Sequence, residues 1–203
     1  MFPEITRTLF TREQIADRVK AMAADIARDI QADLEKDGHT LQDMDKVIII
    51  PIMTGAMIFV ADLIRELPLK LSLGLVAVSS YPGASVRSKG ALLASEMPQD
   101  LKGKHIIVLD DILDSGQTLA MVKKLILEQG PATLRLGVML DKQVDRVADI
   151  RADYVGFEIP DEFVVGYGLD YDGYYRNHQR SACLTPPNSE TSEPKAFSSR
   201  PLC

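Results

Sequence analysis

The sequence has no tryptophan, and only three histidines and two cysteines among 203 residues. Cys183 and Cys203 stand apart, with no C-x-x-C or Cys/His cluster, which argues against a structural zinc site or a disulfide framework. No apolar run approaches the roughly 20 residues a membrane span requires. The opening MFPEITRTLFTREQ lacks the basic-then-apolar run of a secretory signal. A reducing, cytoplasmic setting is expected. Positive charge is also short: 23 Lys and Arg against 29 Asp and Glu give a formal net charge of −6. A sequence-independent nucleic-acid binder needs the opposite balance to displace counterions. Two phosphate-binding signatures are missing as well, a G-x-G-x-x-G after a strand and a G-x-x-x-x-G-K-[ST], which counts against a dehydrogenase and a P-loop enzyme.

The chain is 46% hydrophobic and 26% charged, an ordinary globular balance, and its length suits one domain. That domain is expected over 1–184. The final segment, 185–203, is dominated by proline, serine and charge, with too little apolar surface to repay ordering, and is expected to be a disordered tail. Residues 11–36 read as a helix: Thr11 and Gln14 form a capping-box pattern, and Ile15, Val19, Met22, Ile26, Ile30 and Leu34 recur at helical spacing before Gly38. The run KVIIIPI over 46–52 suits a strand buried on both faces, with Pro51 expected at its end. A helix is expected to open at Thr54, Gly55 and Ala56 and run to 66, followed by strand character over 69–79. Residues 80–98 show weak periodicity and read as a long mobile loop or loose hairpin. Further strands are expected at 105–109, 134–140 and 154–157, with a helix over 118–129. Alternation of apolar strands with amphipathic helices implies an α/β fold, a mostly parallel central sheet flanked by helices.

The segment with most chemistry is HIIVLDDILDSGQT, 105–118. A strand is expected to end at Asp110 and Asp111. Ligands of open α/β sheets gather at that carboxyl edge. Two adjacent carboxylates repel each other, so they call for a divalent cation or for hydroxyl donors from a sugar. Behind them, Gly116 permits a tight turn, Ser115 and Thr118 add hydroxyls, and the following helix turns its positive end toward an anion. Taken singly, D-D is an ordinary polar turn and D-S-G an ordinary helix cap. Their order on strand, loop and helix is what carries weight.

This segment resembles the phosphoribosyl-pyrophosphate-binding motif of type I phosphoribosyltransferases. The resemblance implies that family's fold, including a small hood region and a flexible active-site loop. It implies that Asp110 and Asp111 hold ribose hydroxyls, and that Asp114, Ser115, Gly116, Gln117 and Thr118 grip a 5′-phosphate. Asp114 matches the family's general acid/base. The purine-salvage branch usually carries glutamate first, so Asp110 departs by one methylene.

A second run, DYVGFEIPDEFVVGYGLD over 153–170, is similar to the purine- and metal-binding region of the hypoxanthine-guanine branch. By position, Phe163 stacks on the purine and the Val164 backbone meets its edge. Lys142 donates to the 6-oxo group, which suits an ammonium, a donor only. Asp170, with Asp110 and Asp111, helps place Mg2+, and Arg176 binds pyrophosphate. A third match aligns Ile52, Met53, Thr54, Gly55 and Ala56 with the pyrophosphate loop, where relatives commonly carry Lys or Arg in place of Thr54 and often a cis peptide, here Met53-Thr54. The amides of Thr54 and Gly55 remain to bind an anion. Ser80 and Tyr81 match the serine-tyrosine pair of the loop that closes over the active site.

The resemblance implies purine salvage: transfer of phosphoribosyl from phosphoribosyl pyrophosphate to hypoxanthine or guanine, giving IMP or GMP, by a homodimer or homotetramer. Xanthine stays open as an acceptor. So does a regulator that uses the same fold to sense phosphoribosyl pyrophosphate and bind nucleic acid.

Overall fold

A computed structural model describes residues 5–43, 45–79 and 92–184. The expected tail lies outside them. Helix α1, Arg12–Lys36, begins as the sequence signals. The Thr11 hydroxyl accepts from the Gln14 amide while the Gln14 side chain accepts from the Thr11 amide. This capping box satisfies two of the amides a helix start leaves unpaired. The six predicted apolar positions of α1 are all buried.

The central sheet is built from β2 (Val47–Met53), β3 (Ser72–Leu73), β4 (Val76–Ser79), β5 (Leu92–Leu93), β6 (His105–Leu113), β7 (Thr133–Lys142) and β8 (Tyr154–Ile159). Its order is β5-β4-β2-β6-β7-β8, with β3 also beside β2. Every pairing is parallel except the edge pair of β4 and β5. The alternation of apolar strand residues explains the two layers. Val47, Ile49, Ile107 and Leu109 pack with α1 and with α2 (Met57–Glu66). Ile48, Ile50, Ile106 and Val108 pack with α3 (Gln117–Leu127) on the other face. A strand buried on both faces must be apolar throughout, as VIIIPI is.

Several boundaries differ from the sequence reading. Pro51 lies inside β2, paired with Leu109, rather than at its end. It sits opposite the break between β3 and β4, where a missing N–H costs least. That break, at Gly74 and Leu75, divides the single strand expected over 69–79. Thr54, Gly55 and Ala56 form a turn, and α2 begins only at Met57. Strand β6 continues past Asp110 and Asp111 to Leu113 because β7 extends beside it, pairing Asp110 with Val138 and Leu113 with Asp141. By the same extension Lys142 is the last residue of β7 and not just beyond it.

The expected hood is a three-stranded antiparallel sheet of β1 (Ile5–Phe10), β10 (Ser181–Leu184) and β9 (Val164–Val165). Phe10 stacks on Phe157 of β8 with ring centroids 3.8 Å apart. Arg18 of α1 donates to the carbonyls of Val155 and Gly156. The stack ties the hood, and the Arg18 bonds tie α1, to the far edge of the main sheet.

His105 at the start of β6 is 1% exposed. Its Nδ1 meets Thr133 Oγ1 at 3.0 Å and its Nε2 lies 3.4 Å from Asp37. Burial pushes the imidazole below its ordinary value, with Arg135 and His39 adding to the effect and Asp37 and Asp33 opposing it. The unfolded chain therefore takes up this proton first as pH falls. Its contribution to stability is whole above about pH 6.5 and declines below it. Urea unfolding at pH 7.5 and 5.5 should show this loss, and His105→Gln should reduce it; an equal loss in the variant would assign it elsewhere.

Candidate active site

The chain leaves β2 toward β4 on one side and later returns to place β6 on the other side of β2. The connections therefore diverge between the carboxyl ends of β2 and β6, the place where an open α/β sheet holds a ligand. A cavity of about 460 Å³ lies there. Thr54, Gly55, Asp110, Asp111, Asp114, Ser115, Gly116, Thr118, Asp170 and Arg176 line it, so most of the residues expected from sequence converge.

Asp110 is buried, and its Oδ1 accepts from the Asp111 amide at 3.0 Å. Asp111 Oδ1 accepts from the Ile112 amide at 2.8 Å. Burial, then the neighbouring Asp111 charge, pushes the Asp110 carboxyl well above its ordinary range. Burial also raises Asp111, against the pull of Arg176 and of backbone donors. Two carboxylates side by side in a buried setting repel each other and are poorly solvated. This pair calls for a proton, a cation or donor hydroxyls.

The loop expected to grip a phosphate follows β6. Gly116 caps α3 with φ +77, and a Cβ there would come within 2.6 Å of Ile150 Cγ2. Glycine answers both the backbone turn and the packing beneath it. The first turn of α3 faces the same cavity through Thr118 and Leu119. Gln117 begins α3 but does not line the cavity.

Opposite, the peptide Met53-Thr54 is cis, as the resemblance implied. A Cβ on Gly55 would fall inside the Asp111 carboxylate, and a Cβ on Gly168 inside the Gly55 carbonyl oxygen. The turn after β2 is thus pressed between Asp111 and the segment 166–170. Tyr167 holds that segment to α2 by donating to Asp62 at 2.8 Å. Arg176 bonds the Gly168 carbonyl at 2.6 Å and Asp170 Oδ1 at 2.6 Å. Asp170 Oδ2 accepts from the Gly173 amide.

The predicted base-binding residues sit beside this cavity rather than in its lining. Lys142 Nζ is 2.8 Å from Asp161 and 3.4 Å from Asp114. Burial lowers its pKa, but those two carboxylates outweigh the effect and raise it, so the ammonium stays charged. Phe163 is 44% exposed, and Tyr171 meets it edge-on at 5.5 Å. Val164 is buried in β9. Ser80 and Tyr81 lie outside the described residues.

Asp110, Asp111 and Asp170 do not form a cage of their own: among the described residues no three His, Cys, Asp or Glu side chains are placed to hold a metal. Asp170 is instead committed to Arg176 and Gly173. Sequence reasoning also missed Asp161 as the nearer partner of Lys142, and Gly168 as the backing of Gly55. The paired glycines of VVGYGLD were the available signal for the second.

A profile described as the phosphoribosyl transferase domain matches residues 7–172. The chain belongs to the phosphoribosyltransferase family. Relatives place this phosphoribosyltransferase in the hypoxanthine-guanine branch. The hypoxanthine-guanine phosphoribosyltransferase of Bacillus subtilis is 34% identical over 183 residues, 90% of this chain and 95% of that protein. The Mycobacterium tuberculosis protein of the same name is 35% identical, covering 90% and 88%. Among solved structures, a hypoxanthine-guanine phosphoribosyltransferase from Bacillus anthracis superposes with TM-score 0.76 at 34% identity, covering 90% of this chain and 99% of that one. The hypoxanthine phosphoribosyltransferase of Trypanosoma cruzi, in complex with the product IMP, superposes with TM-score 0.80 at 31% identity, covering 92% and 97%. Among the described residues, no helix of this phosphoribosyltransferase is long and apolar enough to cross a membrane.

Proposed function

We propose that the chain transfers the 5-phosphoribosyl group of phosphoribosyl pyrophosphate to N9 of hypoxanthine or guanine, giving IMP or GMP and pyrophosphate, with magnesium required. The observation that carries this reading is the single cavity in which the acidic pair, the phosphate loop, the Thr54-Gly55 turn and Arg176 face one another. The IMP complex of the T. cruzi relative supports the acceptor.

In this mechanism Ser115, Gly116, Gln117 and Thr118 hold the 5′-phosphate at the start of α3. Asp110 and Asp111 accept from the ribose hydroxyls, which relieves the cost of two buried acids side by side. The Thr54 and Gly55 amides and Arg176 take the pyrophosphate. The C1′–oxygen bond to pyrophosphate breaks as the bond from N9 forms, and Asp114 accepts the purine N7 proton. Phe163 stacks on the base, the Val164 backbone meets its edge, and Lys142 donates to its 6-oxo group.

The donor set fits magnesium as a partial shell. Asp110, Asp111 and Asp170 offer hard oxygens, and this ion commonly fills its remaining positions with water and substrate phosphate. Bound there, it would offset charge on the leaving pyrophosphate. A cytoplasmic setting and a homodimer or homotetramer belong to the same proposal.

The test is turnover with phosphoribosyl pyrophosphate, magnesium and each of hypoxanthine, guanine, xanthine and adenine. Transfer to hypoxanthine or guanine is expected. Lys142→Gln should lower kcat/KM for these bases by roughly 10- to 100-fold, the weight of about one charged hydrogen bond, with less effect on adenine. Turnover with adenine alone would remove Lys142 from this role. No turnover with any base would favour a regulator.

A further inference from the structure

We infer that Arg146 is a positioning residue that fixes Lys142 against the phosphate loop, making 142–150 a brace between the base and 5′-phosphate subsites; the inference rests on the transfer reaction proposed above. Neither the sequence motifs nor the cavity lining drew attention to Arg146. Its guanidinium and the Asp141 carboxylate form an ion pair with side chains 18% and 14% exposed. The same Nη2 donates to the Lys142 carbonyl at 2.8 Å. Its Nε is buried and has no hydrogen-bond partner among the described residues. A half-buried pair with one donor left over is a weak source of stability, but it does set geometry.

What it sets is the end of β7. Lys142 is the last residue there, with a side chain 12% exposed whose tip is held by Asp114 and Asp161 and whose backbone is held at the strand end. The Val144 amide also bonds the Lys142 carbonyl, and the Gln143 amide bonds the Ile159 carbonyl. The chain then passes directly under the phosphate loop. The Ala148 amide donates to the Ser115 carbonyl at 3.2 Å, and Ile150 and Ala148 occupy the space beside Gly116 where a side chain would otherwise lie. One short segment thus holds the candidate 6-oxo donor at one end and supports the phosphate loop at the other. Base and 5′-phosphate end up on the same product nucleotide, so the two subsites must keep a fixed spacing. Productive sites tolerate about 0.5 Å of misplacement.

The test compares the unmodified protein with Arg146→Met, Arg146→Lys and Ala148→Pro in steady-state kinetics, alongside thermal unfolding. Arg146→Met should raise KM for hypoxanthine roughly tenfold or more, while KM for phosphoribosyl pyrophosphate stays within about threefold. It should also narrow the preference for hypoxanthine over adenine. Arg146→Lys keeps a cation beside Asp141 and should recover part of the hypoxanthine KM. Ala148→Pro removes the donor to Ser115 and stiffens the backbone beneath Gly116, and should move the other KM, that for phosphoribosyl pyrophosphate. A folded Arg146→Met variant with unchanged hypoxanthine KM overturns the inference. So does a rise of both KM values in step with a lower unfolding temperature, the signature of a merely structural group. If Arg146→Met does not fold, the same split read in Arg146→Lys decides. No transfer by the unmodified protein sinks the proposed reaction and this inference together; transfer without the split sinks the inference alone.

Discussion

Asp114→Asn should lower kcat by roughly 10²- to 10⁴-fold, the usual weight of a positioned general acid or base, while phosphoribosyl-pyrophosphate binding stays near normal. Asp114 stands between the phosphate loop and Lys142, half-exposed, with its Oδ2 3.4 Å from Nζ. Asparagine keeps the shape and can still accept from the ammonium, but it cannot take a proton. Lys142 also retains Asp161 at 2.8 Å, so the base donor stays charged and held. The loss should therefore fall on turnover rather than on KM. Equilibrium binding of phosphoribosyl pyrophosphate together with single-turnover rates separates the two, and an unchanged rate would take Asp114 out of the chemistry.

Gly168→Ala should disable the site from the opposite wall. The residue has φ +103, and its missing side chain is where the Gly55 carbonyl oxygen lies. The new methyl meets backbone, which has nowhere to swing, unlike the tip of a flexible side chain. Backbone strain and overpacking together should cost about 2–5 kcal/mol. That is a large part of a typical stability of about 5–15 kcal/mol. For a chain of this size it corresponds to a fall in Tm of roughly 5–15 °C. Because Gly55 is pressed in turn against Asp111, pyrophosphate and ribose contacts should be lost beyond what the fall in Tm explains. Near-normal Tm and KM in this variant would mean that the two segments are not held together as described.

Local signals carried much of the fold into the sequence. The capping box and the six apolar positions of α1 are interactions between residues three or four apart, and they survive intact. Buried parallel strands were legible as unbroken β-branched runs. What failed were boundaries set by neighbours. Nothing within KVIIIPI says that Pro51 lies opposite a gap between β3 and β4, and nothing within HIIVLDDIL says that β7 will extend alongside and carry the strand through both acids. The phosphate loop and acidic pair were readable because they are contiguous. Gly168 against Gly55, Asp161 on Lys142 and Arg146 on the Lys142 carbonyl join segments whose proximity arises only from the chain's path. Thr54 remains a polar residue where relatives commonly carry a cation, and Arg176 is the described cation lining that cavity.

The hood has a consequence for timing. Among the described residues, its first strand, β1, has no strand to pair with until β10 exists, and Thr6 bonds Cys183 across 177 positions of sequence. At synthesis rates of about 5–20 residues per second, β1 waits roughly ten to thirty seconds after it is made. Strand β9, which holds Val164, also pairs with β10. A growing chain can therefore close the proposed phosphate loop while the proposed base-binding edge is still open, and competence to use a purine is then among the last properties the molecule gains.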